Sequence, residues 1–168
     1  MSEATFLAAW MPHLMLAPIM LPLLSAAVML LLPEEKHRTK LVLNLGSTLL
    51  GLVITCALLV WAQQQGEPAT MGVYLPGNWP APFGIALALD RLSALMLVLT
   101  SAVGLAAALY GSARWYRAGV HYHPLFQFQL MGLSGAFLTA DLFNLFVFFE
   151  IMLAASYGLL LHRSGRAR

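Results

Sequence analysis

The amino-acid sequence predicts an all-α membrane protein: one polytopic bundle of about five transmembrane helices over residues 1–168, amino terminus outside and carboxyl terminus in the cytoplasm. Three observations carry this expectation. Of 168 residues, 60% are hydrophobic and only 10% charged, where soluble domains carry about 45–50% and about 25%. That leaves too little charge to coat a water-facing surface, which excludes an ordinary cytoplasmic enzyme, and the mean hydropathy of +0.78 agrees. Apolar residues also gather into five stretches near the ~20 residues that cross about 30 Å of hydrocarbon. Finally, basic residues alternate between the connections, as the positive-inside rule requires.

The first stretch covers about residues 13–32. It reads as a span rather than a cleaved signal peptide, because Glu3 and no Lys or Arg precedes it and the apolar run exceeds an h-region. Lys36, Arg38 and Lys40 then make a basic connection to the second span, about 41–62. The next connection, Gln63–Gly84, has no Lys or Arg and is punctuated by Gly66, Pro68, Pro76, Gly77, Pro80, Pro82 and Gly84, which favour turns. Within it Gly72-Val73-Tyr74-Leu75 reads as a short strand, half of a hairpin, while Trp61 and Trp79 suit the membrane boundary. The third span, about 85–112, is long enough to tilt and is followed by Arg114 and Arg117. A shorter fourth, about 125–140, is separated only by Asp141 from the fifth, about 142–162, whose tail carries Arg163, Arg166 and Arg168. Small residues recur at helical spacing in these spans (Gly104, Ala108, Gly111; Gly132, Ala136, Ala140; Ala154, Gly158), the pattern of closely packed membrane helices.

Candidate chemistry is sparse. The single Cys56 forms no internal disulfide and rules out iron–sulfur and cysteine-based zinc sites within the chain. No phosphate loop, nucleophile–histidine arrangement or dinucleotide fingerprint occurs, so no cofactor, no nucleic-acid partner and no enzymatic activity are expected. Charge at the bilayer centre costs about 2.5–3.5 kcal/mol on the mildest scale, which makes an intramembrane carboxylate functional by default. Glu150 is the clear case. It follows Leu142 by two helical turns, roughly 12 Å into the fifth span, among Phe143, Phe146, Phe148, Phe149 and Leu153. There it can serve a proton relay; the plainer alternative is a protonated side chain bonded to a neighbouring helix. Arg91 lies too near the outer end of span three to reach it, so its counter-charge is expected from another helix or a partner protein.

Asp141 and Asn144 open the fifth span, where capping of the helix is favoured over an outer proton path. Asp90 and Arg91 read as a boundary pair, with the arginine snorkelling outward. His121 and His123 flank Tyr122 in a cytoplasmic connection. On an extended backbone their rings would share a face, more suited to collecting protons than to holding a metal, since no third ligand is near.

The run His121-Tyr122-His123-Pro124-Leu125-Phe126-Gln127-Phe128-Gln129-Leu130-Met131-Gly132-Leu133, with Gly135–Thr139 and Asp141–Glu150, closely resembles the D subunit of the multisubunit Mrp-type sodium/proton antiporters. It is also similar to the proton-channel subunits of respiratory complex I and of membrane-bound hydrogenases. Gly77–Ile85 and Leu89–Ser93 fit the same resemblance. The resemblance implies that Glu150 takes part in proton translocation, paired with a lysine on a later helix of a bundle with more than twice as many spans. It implies sister subunits, the lipid bilayer, protons and monovalent cations, sodium foremost, as partners, and a bacterial inner membrane as location. The chain departs from the family after span five: Arg163–Arg168 does not match the usual continuation, so the sequence reads as truncated there with its proton path incomplete. Two other functions stay open, a proton-channel part of an NADH–quinone oxidoreductase or membrane-bound hydrogenase, and a helical scaffold that moves no ions.

Overall fold

The computed structural model describes residues 10–64, 72–79, 84–114 and 121–161. Gly66, Pro68, Pro80 and Pro82, together with Arg117, His162 and the three tail arginines, lie outside the described residues.

Proline dictates the start of the bundle. Residues 10–14 are helical, the chain turns at Met15 and Leu16, and α1 runs over Ala17–Leu31. Pro18 has no N–H to offer the Leu14 carbonyl, so the ladder tightens before it. Met15 N–H donates to the Pro12 carbonyl at 3.3 Å and Leu16 N–H to that of His13 at 3.2 Å. The first span is therefore interrupted, not the continuous 13–32 helix expected. α1 itself has 15 residues, about 22 Å.

α2 covers His37–Gln64. Its 28 residues extend about 42 Å, starting inside the charged connection, one turn earlier than the apolar pattern indicates. β1 (Gly72–Tyr74) is the expected short strand, and it pairs antiparallel with β2 (Leu87–Leu89), Val73 opposite Ala88. Between them Pro76–Asn78 makes one 3-10 turn in which Gly77 and Asn78 adopt φ of 73° and 57°, a left-handed conformation open to Gly and Asn.

β2 corrects the third span. Apolar residues from Ile85 onward were expected to be helical, but Leu87–Leu89 is strand, and α3 occupies Arg91–Arg114. The switch is enforced at Asp90: its Oδ1 accepts the Ser93 N–H at 2.6 Å and the Ser93 hydroxyl, while its own N–H donates to Ser93 Oγ at 3.0 Å. This reciprocal cap satisfies the first helical donors. Asp90 thus caps the head of α3, and the Ser93 hydrogen bonds hold the pKa of its carboxyl below its ordinary value.

α4 spans Tyr122–Leu138 and α5 spans Leu142–Leu161. The turn between them is tied to the hairpin, for Thr139 bridges Leu87 and Ala140 N–H donates to the Ala86 carbonyl at 2.9 Å. α4 sits centrally, packed against α1, α2, α3 and α5, and α2 also packs along α3. The shared core includes Met15, Leu58, Leu87, Leu97, Leu138 and Phe148. The small-residue face of α4 works as a close-approach surface. A Cβ at Gly132 would lie 3.1 Å from the Phe148 carbonyl oxygen, and one at Gly135 would fall on the Phe148 ring.

Among the described residues, three helices are long and apolar enough to cross a bilayer: His37–Gln64, Arg91–Ala113 and Leu142–Leu161. Their outward faces are mostly apolar, with Val53, Leu95, Val103, Phe146 and Leu160 all exposed. Such a surface is built for lipid or for other membrane helices.

Candidate proton-handling residues and the buried polar ladder

Glu150 lies midway along α5, two turns past Leu142. It is exposed, on the face of α5 that also presents Phe143, Phe146, Leu153 and Tyr157 away from the rest of the chain. Phe148 points the other way, 7% exposed, into the contact with α4. Glu150 makes no hydrogen bond or ion pair with the described residues.

At the head of α5, Asp141 Oδ1 accepts the Phe143 N–H and Oδ2 the Asn144 N–H, each at 3.2 Å. A carboxylate in this position meets the positive end of the helix dipole. Asn144 is buried, and its amide donates to the Thr139 hydroxyl at 3.1 Å. Both side chains thus organise the α4–α5 turn.

The two histidines do not share a face. His123 is already within α4 rather than on an extended strand; it is buried at 2% exposure, while His121, just before the helix, is exposed. The helical turn rotates one ring into the bundle and leaves the other at its surface. Among the described residues, no group of three His, Cys, Asp or Glu side chains is placed to hold a metal ion.

His123 leads to a feature that inspection of charges alone missed. Lys40, Asn44, Thr48 and Thr55 are buried along one face of α2, and His123, Gln127 and Ser134 along the facing side of α4. Asn44 Nδ2 lies 3.2 Å from His123 Nδ1. The Gln127 amide donates to Asn44 Oδ1 at 2.6 Å, to the Asn44 carbonyl at 3.2 Å and to Thr48 Oγ1 at 3.0 Å. Thr48 in turn donates to the Asn44 carbonyl at 2.7 Å, and deeper in the bundle Thr55 donates to Ser101 of α3 at 3.3 Å. The signal was present in the sequence as polar residues four apart on otherwise apolar helices (40, 44, 48 and 123, 127), a spacing that places them on one face. In a bilayer such groups find partners on a neighbouring helix because lipid supplies none.

These features define a multi-pass helical membrane protein with a mid-helix carboxylate turned outward and a buried polar ladder inside. No protein-family model matches the chain. Its sequence is 56% identical over 160 residues to the D subunit of a probable K(+)/H(+) antiporter from Rhizobium meliloti, covering 95% of this chain and 30% of that protein. It is 36% identical over 152 residues to the D subunit of the Na(+)/H(+) antiporter of Bacillus subtilis, covering 89% and 30%. The fold matches a chain in the structure of the Mrp complex from Dietzia sp. DQ12-45-1b with a TM-score of 0.80 and 34% identity, covering 94% of this chain and 28% of that one. It also matches a chain of the membrane-bound sulfane sulfur reductase, an archaeal respiratory membrane complex, with a TM-score of 0.70 and 27% identity over 88% of this chain and 30% of that one. The chain is therefore similar to the D subunits of cation/proton antiporters, which are transport proteins rather than enzymes, and spans about 30% of the length of these curated relatives.

Proposed function

We propose that this chain forms part of the proton path in the membrane sector of a multisubunit monovalent cation/proton antiporter, with Glu150 as the group that loads and releases the proton. The observation that carries the reading is the position of Glu150: mid-helix on a membrane-length helix, on a face that nothing in the described chain covers. A carboxylate facing lipid there would cost about 2.5–3.5 kcal/mol or more. A neighbouring protein surface bearing a cation offsets that cost, and proton exchange between two such groups is the elementary step of a relay. Sister subunits or further helices supply that surface. Asp141, Asn144 and His121 play structural or peripheral parts, and His123 belongs to the internal ladder. Sodium and potassium both fit as the exchanged cation, since both appear in the relatives' names.

In this arrangement residues 1–168 act as one membrane domain of five passes in a bacterial inner membrane. The basic connection containing Lys36, Arg38 and Lys40 faces the cytoplasm, and the β1–β2 hairpin faces outward. The short helices α1 and α4 complete the five, α1 with the help of residues 10–14. The similarity to a respiratory complex supports a second reading, in which the chain is a proton-channel part of a redox assembly.

Proton flux in vesicles carrying the assembled antiporter tests the proposal. A sodium or potassium gradient is expected to drive proton movement only when this chain is present, with protease reaching residues 33–36 from the cytoplasmic face alone. Flux that persists in full without the chain contradicts the assignment, and cleavage from the outer face contradicts the orientation.

A further inference from the structure

A main-chain carbonyl fixes where the protons of the ladder lie. Gln127 Nε2 is 3.2 Å from the Asn44 carbonyl oxygen. That oxygen can only accept, so the NH2 end of the Gln127 side chain, and not its oxygen, faces α2. The same NH2 lies 2.6 Å from the Asn44 side chain, whose atom at this point must be the acceptor, Oδ1. Asn44 is then left with its own NH2 toward His123, 3.2 Å from Nδ1. An NH2 has only hydrogens to offer, so Nδ1 accepts through its lone pair and the neutral ring holds its hydrogen on Nε2. Thr48 agrees with this pattern, donating to the Asn44 carbonyl at 2.7 Å and accepting from Gln127 at 3.0 Å.

A proton added at Nδ1 reverses these choices in turn. Nδ1–H would meet the Asn44 NH2 hydrogen to hydrogen, so the Asn44 amide has to turn over and present Oδ1. Its NH2 then points at the Gln127 NH2, and that amide has to turn over as well. Thr48 follows by swinging its hydroxyl hydrogen from the Asn44 carbonyl to Gln127 Oε1. Only side-chain torsions change. In the described state Gln127 Oε1 has no hydrogen-bond partner among the described residues, and after the turn Nε2 takes its place. One end of this amide is thus unpartnered either way, and the Asn44 end sets its orientation. Asn44 and Gln127 are fully buried and His123 is 2% exposed, so solvent does not stand in for a mismatched partner.

We propose that His123, Asn44 and Gln127 form a two-state proton switch between α2 and α4, with the amides as described while Nδ1 is bare and both reversed once Nδ1 is protonated. It sits at the end of the bundle where α2 and α4 begin. There α1 and β2 bring no titratable side chain. α2 brings the buried Lys40, one turn before Asn44 on the same face, and the half-buried His37. α3 brings the exposed Tyr110 and ends at Arg114, while Glu150 and Tyr157 of α5 are turned outward. On α4 itself the Tyr122 ring stands edge-on to His123 at 5.3 Å. His121 is exposed two residues away, and helix ends open more readily than helix centres, which gives a proton access to the buried ring. The switch rests on the ladder's hydrogen bonds alone and stands whether or not Glu150 carries protons.

Solid-state nitrogen NMR of the assembled complex, with histidine, asparagine and glutamine side chains labelled, reads both states. Near neutral pH the expected His123 signature is a bare Nδ1 and a protonated Nε2, with the Asn44 NH2 close to Nδ1. Acidification should protonate Nδ1 and shift the Asn44 and Gln127 amide resonances with the same midpoint. In Asn44→Asp both side-chain oxygens accept, so His123 is expected to carry Nδ1–H already near neutral pH while the Gln127 amide stays as in the parent. A protonated Nδ1 in the unaltered protein near neutral pH overturns the proposal, as does a bare Nδ1 in Asn44→Asp. A ring that titrates while the amides stay put overturns it too, and so does a ring that never titrates while the complex holds together. Should Asn44→Asp fail to assemble, the titration of the unaltered protein decides alone.

Discussion

Exchanging Glu150 for glutamine in the assembled complex is expected to reduce cation-driven proton flux to the background of vesicles without the complex. Glutamine keeps the length and the hydrogen-bonding shape of the side chain but cannot give up a proton at any physiological pH. A relay that depends on this group therefore loses the step itself, whereas a merely structural glutamate would be replaced at small cost. The position helps to separate the two. Glu150 is exposed on its own chain, so the substitution leaves the packing of α4, α5 and the hairpin intact, and the stability of the chain should change by no more than about 0.5 kcal/mol. Glu150→Asp retains the titrating group one methylene shorter and is expected to keep part of the flux. Flux measured with a pH-sensitive dye after a sodium or potassium pulse distinguishes the three proteins. Undiminished flux in Glu150→Gln would remove Glu150 from the path.

Gly135→Leu is the substitution expected to damage the fold most. A Cβ at 135 already falls on the ring of Phe148, and at Gly132, one turn earlier, it would sit 3.0 Å from Met152 Cβ. The α4 and α5 backbones approach this closely only because these positions lack side chains. Phe148 is locked in the core with Leu138 and Leu87 and cannot swing aside. Overpacking of this kind costs about 1–3 kcal/mol, occasionally more, and a whole leucine side chain belongs at the upper end. α5 would be displaced, carrying Glu150 with it, so thermal stability and flux should fall together. Gly46→Leu is the control: nothing lies within 4 Å of a Cβ there, and leucine is the better helix former. Equal stability of Gly135→Leu and the parent would mean that α4 and α5 do not touch in the membrane.

Much of this architecture is legible from the sequence because membrane burial is a coarse, strong signal. The long, mostly apolar run of α5 and its start at Leu142 follow from composition and Asp141, and the strand at Gly72–Tyr74 from the turn formers around it. What escapes is decided by local hydrogen bonding. Leu87–Leu89 is as apolar as a helix, yet it becomes strand because β1 and Thr139 offer ladder partners and Asp90 with Ser93 caps the helix just after it. The break at Met15–Leu16 follows from Pro18, whose effect falls on carbonyls a turn earlier. His123 changes from a surface histidine to a buried one through the onset of α4 one residue before it. Glu150 stands out in the sequence as an expensive charge. Asn44, Thr48 and Gln127 are uncharged and announce themselves only through helical spacing.

The central claim is that Glu150 changes its protonation during turnover, and infrared difference spectroscopy reads this directly. Spectra of the assembled complex before and during cation-driven exchange are expected to show a protonated-carboxyl C=O band that rises and falls with turnover and is absent from Glu150→Gln. A spectrum with no carboxyl change, or one identical in the glutamine variant, would contradict the account.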